Sequence, residues 1–184
     1  GLAWPGLRGA NQLSNAAGVL MALECLSERL VVDEQAVCQG FMKATLPGRF
    51  QVLAGNPVVI LDRAHNPQSA AVLADNLASM GPFSETWAVC GMLADKDIPG
   101  SLAALVSLVD HWFLGSLPGP RGASALALAQ VLKSLGARGS VECFSSPQEA
   151  FNQARSRAGE GDRIATFGSF LTVADVMNVA QAAR

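Results

Sequence analysis

The stretch Val58-Val59-Ile60-Leu61-Asp62-Arg63-Ala64-His65-Asn66-Pro67-Gln68-Ser69-Ala70-Ala71 decides the fold. It opens on a short, β-rich apolar run and passes through a polar turn. It then meets a helix start, because Asn66 is a good N-cap and Pro67 a good first helical residue. The same grammar runs through the rest of the chain. Strands are expected at residues 50–53, 58–61, 86–90, 111–114, 141–144 and 163–167, and helices near 68–80, 99–108, 123–135, 147–157 and 171–182. Alternation of this kind builds βαβ units and a mostly parallel sheet covered on both faces. The first two strands are separated only by Ala54-Gly55-Asn56-Pro57, a connection short enough for a hairpin. The first strand should therefore be antiparallel and at an edge. The expected fold is α/β: a Rossmann-like, mostly parallel sheet of about six strands with helices on both faces.

Upstream the pattern is different. Residues 15–29 are rich in Ala, Leu and Met at helical spacing, and Asp33 can cap a second helix over 34–44. Leu46-Pro47-Gly48 breaks the helical pattern. The chain is thus expected to divide at about residue 46, and its helical piece, too short to be a domain, reads as the end of something larger.

Composition narrows the function. Of 184 residues, 50% are hydrophobic and 15% charged, which excludes disorder. A net charge of −2 gives no electrostatic footprint for nucleic acid or acidic membranes. No run reaches the ~18 uninterrupted apolar residues of a membrane span. The start Gly1-Leu2-Ala3-Trp4-Pro5 lacks the basic residues and apolar stretch of a signal peptide. The four cysteines, Cys25, Cys38, Cys90 and Cys143, form no C-x-x-C pair and are expected to be reduced, mostly buried thiols of a cytoplasmic protein. With two histidines, no metal site is expected.

In open α/β sheets, ligands bind beyond the carboxyl ends of the strands. Here those ends run into Asp62–Pro67, Gly91–Asp97, Gly115-Ser116 with Gly119–Gly122, and Gly168-Ser169-Phe170. Glycines let a ligand approach the backbone, and helix N-termini suit anions. His65, between a strand end and a capped helix, is a functional candidate. His111, at the opposite edge, reads as structural. Asp97 reads as a cap, and Ser146 with Glu149 as a capping box. G-x-S-x-G, H-E-x-x-H, a strand-linked G-x-G-x-x-G and a P-loop are all missing from the sequence. Phosphate chemistry here would have to borrow its P-loop.

Leu46–Gln51 followed by Ile60–Pro67 resembles the bacterial dihydrofolate synthase/folylpolyglutamate synthase family of the Mur ligase superfamily. Leu13–Ala17, Gly91–Asp97, Gly119–Ala123 and Phe167–Val173 support the likeness in the family's order. The resemblance implies residues 1–46 as the last helices of a central ATPase domain plus hinge, and 47–184 as the Mur ligase C-terminal domain. It implies a ligase in which ATP, with Mg2+, phosphorylates a carboxylate of dihydropteroate or a tetrahydrofolate. The amino group of L-glutamate then attacks the acyl phosphate. Magnesium ligands and the P-loop would lie upstream, so this piece alone should be inactive. The family also implies a cytoplasmic monomer.

Residue by residue, the likeness gives Asn15 a contact with the nucleotide base, Arg49 the ATP phosphates, and Asp62 the ribose hydroxyls. It places His65 near the phosphates and incoming glutamate, and Ser169 on the border of the nucleotide and amino-acid sites. Arg63 departs from the family, which carries a small or aliphatic residue there; a cation beside the ribose site could add a phosphate contact or point to solvent, and the solvent position is the one expected. Two other readings stay open: a Mur ligase acting on cell-wall precursors, and a free-standing nucleotide-binding module.

Overall fold

The computed structural model describes residues 5–7 and 11–181; the run at 1–4 and the end of the helix expected at 171–182 lie outside them. Helices α1 (Asn11–Cys25) and α2 (Glu34–Lys43) come first. Then follow β1 (Gln51–Leu53), β2 (Val58–Leu61), α3 (Pro67–Ser79), β3 (Thr86–Cys90), α4 (Ile98–Ala103), β4 (His111–Gly115), α5 (Ala125–Ser134), β5 (Ser140–Phe144), α6 (Pro147–Arg157), β6 (Arg163–Phe167) and α7 (Phe170–Gln181). The sheet runs β1-β2-β6-β3-β4-β5. Only β1–β2 is antiparallel, so the edge strand falls where the short connection requires it.

Side chains alternate across a strand, so each strand feeds two cores. Ile60, Ala88, Cys90, Trp112, Leu114, Ala165 and Phe167 face one layer, packed under α3, α4 and α5 through Leu73, Leu77, Leu102, Leu128 and Leu132. Leu61, Trp87, Val89, Phe113 and Ile164 face the other, under α6 and α7 through Phe151, Ala154, Val173 and Val176. The central strands β3 and β6 are buried throughout, as strands covered on both faces must be.

Polar groups close the lower edge. Asp162 accepts from the N–H groups of Glu85 and Gly159 and from Trp87 Nε1. Buried Arg163 donates to Thr86 Oγ1 and to the Leu77 carbonyl, and lies 5.0 Å from the Phe83 ring. His111 is structural, stacked on Trp87 at 4.0 Å and bonded to Ser140 and Glu85. The upper edge, where the parallel strands end, is left for the glycine and polar turns.

Several boundaries depart from the expected ones. Helix α1 starts and stops earlier than 15–29, with turns over 26–29. Phe50 is not in β1, because it takes a left-handed φ of 40° and gives its N–H to Asp62. Helix α5 begins after a Ser124 cap, while the Ala123 N–H bonds the Met92 carbonyl. Beyond Ala103 the chain tightens into turns that bond Leu105 to Leu102 and Leu108 to Leu105, so α4 stops short of 108. Asn66 and Asp97 cap α3 and α4 as expected. The box at Ser146 is only half formed: Ser146 accepts from the Glu149 N–H, but the Glu149 carboxylate bonds Ser145 N–H and Oγ instead. Those bonds hold the Glu149 carboxyl below its ordinary range.

The cysteine expectation fails for most of the thiols. Cys90 alone is fully buried; Cys38 is half-buried, and Cys25 and Cys143 are exposed. Burial pushes the Cys90 thiol far up, which makes it inert. Gly18, inside α1, has open space where a Cβ would sit. Gly18→Ala is therefore expected to stabilise the fold by up to ~1 kcal/mol, read as a higher urea midpoint at unchanged slope.

Candidate functional site

A cleft of about 740 Å³ opens at the upper edge. Helix α1 offers Gln12 and Asn15, the hinge offers Arg49 and Phe50, and the β2–α3 turn offers Asp62, Arg63, His65 and Asn66. The β3–α4 loop adds Leu93 and Lys96, and the β6–α7 turn adds Gly168, Ser169 and Phe170. All five sequence-derived site residues, Asn15, Arg49, Asp62, His65 and Ser169, thus line one cavity.

The β2–α3 turn is held from both sides. Asp62 Oδ2 accepts the Phe50 N–H and Oδ1 the Ala64 N–H, each at 2.8 Å. Burial pushes the Asp62 carboxyl above its ordinary range; those two N–H groups and the guanidiniums of Arg49 and Arg63 pull the other way. Asn66 Oδ1 takes the Ser69 N–H, and Ser69 Oγ takes the N–H groups of His65 and Asn66. His65 Nδ1 lies 2.8 Å from the Arg63 carbonyl. A carbonyl only accepts, so Nδ1 carries a proton, and in the neutral ring Nε2 keeps its lone pair.

Ser169 contributes differently from the expectation drawn from its position. Its hydroxyl is buried, accepts the Thr172 N–H at 3.0 Å and meets Thr172 Oγ1 at 2.9 Å. Thr172 Oγ1 in turn donates to the Gly91 carbonyl. The serine therefore caps α7 and ties β6 to β3, and it meets the cleft at the helix N-terminus. Asn15 is exposed on α1, its Nδ2 donating to Gln12 Oε1.

The Gly119–Gly122 segment stays outside the cleft. Arg121 pairs with Asp95 at 2.7 Å on the surface, and its carbonyl takes the Ala94 N–H. That pairing holds the Asp95 carboxyl below its ordinary range. Two further cations, Lys96 and Arg63, line the cleft. Lys96 sat in a stretch already marked as a strand end. Arg63, expected in solvent, is half-buried: its Nε is fully enclosed and its guanidinium lies 6.0 Å from the Phe170 ring centre. The side chain turns inward because its stem lies against Gly48, where the lack of a side chain leaves it room.

Cations, one partly offset carboxylate, a neutral-capable imidazole and two helix N-termini make a site for an anionic ligand with hydroxyls. Among the described residues, no three His, Cys, Asp or Glu side chains come together to hold a metal.

The family described as Mur ligase, glutamate ligase domain, matches residues 48–170. The dihydrofolate synthase/folylpolyglutamate synthase of Escherichia coli (strain K12) is 44% identical over 170 residues, which are 92% of this chain and 38% of that protein. The enzyme of the same name from Haemophilus influenzae is 32% identical, over 92% of this chain and 42% of that protein. The chain thus spans about two fifths of the length of these relatives. Among solved structures, E. coli FolC in complex with ADP superposes with a TM-score of 0.84 at 41% identity, over 100% of this chain and 42% of that one. A bifunctional folylpolyglutamate synthase/dihydrofolate synthase with Mn, AMPPNP and L-glutamate bound gives 0.85 at 41% identity, over 98% and 41%. The chain belongs to the Mur ligase family and carries its glutamate ligase domain.

Proposed function

We propose that this chain is the C-terminal part of an ATP-dependent folate ligase, which joins L-glutamate to dihydropteroate or to a tetrahydrofolate through an acyl phosphate. The observation that carries the reading is the meeting of Asn15, Arg49, Asp62 and His65 in one cleft, in a chain 44% identical to a dihydrofolate synthase/folylpolyglutamate synthase. In this reading residues 1–46 belong with a P-loop domain plus hinge. The exposed apolar residues Leu13, Val19, Met21, Val31 and Met42 support that division. The enzyme acts as a cytoplasmic monomer.

Each group has a role that suits its chemistry. Asn15 meets the base, Asp62 accepts from the ribose diol, and Arg49 binds phosphate oxygens with a forked, permanent charge. Ser169 holds the α7 N-terminus against the nucleotide and amino-acid sites. The Nε2 of His65 accepts a proton as the glutamate amine attacks. Magnesium, when bound, neutralises charge on the phosphoryl oxygens. In this reading the magnesium would be held by residues outside this chain; among the described residues no three His, Cys, Asp or Glu side chains come together to hold it.

Phosphate release from MgATP tests the reading, with the chain in its complete reading frame and dihydropteroate, a reduced folate and glutamate omitted in turn. Release that needs glutamate and either pterin substrate supports a folate ligase. Release only with a cell-wall precursor moves the chain to another branch of the Mur ligases. In an active enzyme, His65→Ala should lower kcat about a hundredfold with little change in the KM for ATP. An unchanged kcat would remove the proton-transfer role.

A further inference from the structure

Arg63 lines the cleft and is half-buried. Its stem lies against the turn at Gly48, where a Cβ would come within 3.3 Å of the arginine Cγ. Its guanidinium is 6.0 Å from the Phe170 ring. Its carbonyl is taken by His65 Nδ1, so the backbone that carries it is fixed. Yet its Nε–H is enclosed and finds no acceptor among the described residues. Buried donors are nearly always paired; the guanidinium that carries this one lines the cleft and is short of acceptors.

The surroundings say what that partner is. The adjacent carboxylate, Asp62, is already engaged by two backbone N–H groups. Arg49 and Arg63 both bear on it, so two cations face one occupied anion. Lys96 lines the same cleft. The N-termini of α3 and α7, helices of 13 and 12 residues, open on it too. Positive charge spread over so many groups fits a chain of phosphates better than a single carboxylate. We propose that Arg63 is a second phosphate-binding guanidinium beside Arg49, engaging the phosphate chain of a nucleotide held in this cleft. This rests on the nucleotide reading given above.

The test is nuclear magnetic resonance on the arginine-labelled protein in its complete reading frame, upstream domain included. An enclosed arginine Nε–H exchanges slowly enough to give its own signal. ATP, tripolyphosphate, adenosine and L-glutamate are added separately at millimolar concentrations. The Arg63 Nε–H signal is expected to move with ATP and tripolyphosphate, and to stay in place with adenosine and with glutamate. Arg63→Val should weaken tripolyphosphate about tenfold while leaving adenosine unchanged, and Arg63→Lys should restore part of the loss. Four results overturn the proposal. If the signal moves with glutamate alone, the partner is a carboxylate. If Arg49, Asp62 and His65 signals respond to ATP while Arg63 does not, the nucleotide reading stands and Arg63 is packing. If Arg63→Val weakens adenosine and tripolyphosphate equally, its role is structural. Should no cleft signal respond to any of the four, the nucleotide reading itself fails, and the proposal falls with it.

Discussion

Gly168→Ala is expected to destabilise the fold by about 4 kcal/mol and to displace the cleft's rear wall. Gly168 follows β6 with a φ of 111°, a conformation that L side chains rarely adopt. A Cβ there would lie 2.4 Å from the Gly91 carbonyl oxygen and 2.9 Å from Met92 Cγ. Two penalties therefore add. The backbone conformation costs ~1–2 kcal/mol for a residue with a Cβ. Overpacking costs ~1–3 kcal/mol more. The methionine can move aside, but the carbonyl cannot turn freely: it accepts the Thr172 hydroxyl, and the Gly91 N–H bonds the Phe167 carbonyl. The Gly168 N–H also bonds the Ala64 carbonyl, so strain at this point reaches the turn that holds Asp62 and His65. Urea unfolding measures the effect, with Gly18→Ala as the permissive control. A midpoint within ~0.5 kcal/mol of the parent would mean that the β3 end yields, and would sink the claim that three strand ends lock one another here.

What the sequence made readable follows from the range of the interactions. Caps such as Asn66 and Asp97 bond residues three positions away, so the local spelling was enough. The strand–helix alternation gave the sheet, and the short 54–57 link gave the antiparallel edge. The cleft could be located because glycine and polar turns collect at the carboxyl ends of parallel strands. Long-range geometry was hidden. The left-handed Phe50 is held by a carboxylate twelve positions away. Arg63 turns inward because Gly48 leaves room for its stem and Phe170, far along the chain, offers a ring. Cys143 is exposed because β5 is the open edge of the sheet, which no property of the cysteine reveals. The inward hydroxyl of Ser169 was within reach: Ser-Phe-Leu-Thr has the spacing of a helix cap, and the bond to the Thr172 N–H follows from it.

Asp62→Ala is expected to remove about 2–4 kcal/mol of stability and to raise the KM for ATP at least about tenfold. The carboxylate has two duties, and the structural one is directly visible. Its oxygens receive the Phe50 and Ala64 N–H groups, both part-buried, and alanine would leave both without an acceptor. Phe50 is 7% exposed and sits in the core with a left-handed φ, so its clamp also sets the direction of Arg49. Asp62→Asn keeps one accepting oxygen but presents an NH2 to the other N–H, and should fall between parent and alanine. The pH dependence carries a sign that separates the charge from the packing. Burial raises the folded carboxyl above its ordinary value of 3.8, so the folded state holds the proton more tightly than the unfolded chain. The stability that Asp62 contributes is then fullest below that value and declines as pH rises through the raised one. The gap between parent and Asp62→Ala should accordingly narrow with rising pH across that window and level off above it. A gap that widens over the same range would mean that the bonds from Phe50 and Ala64, helped by Arg49 and Arg63, outweigh burial. Asp62 would then be a stabilised anion, and charge rather than shape would hold the hinge.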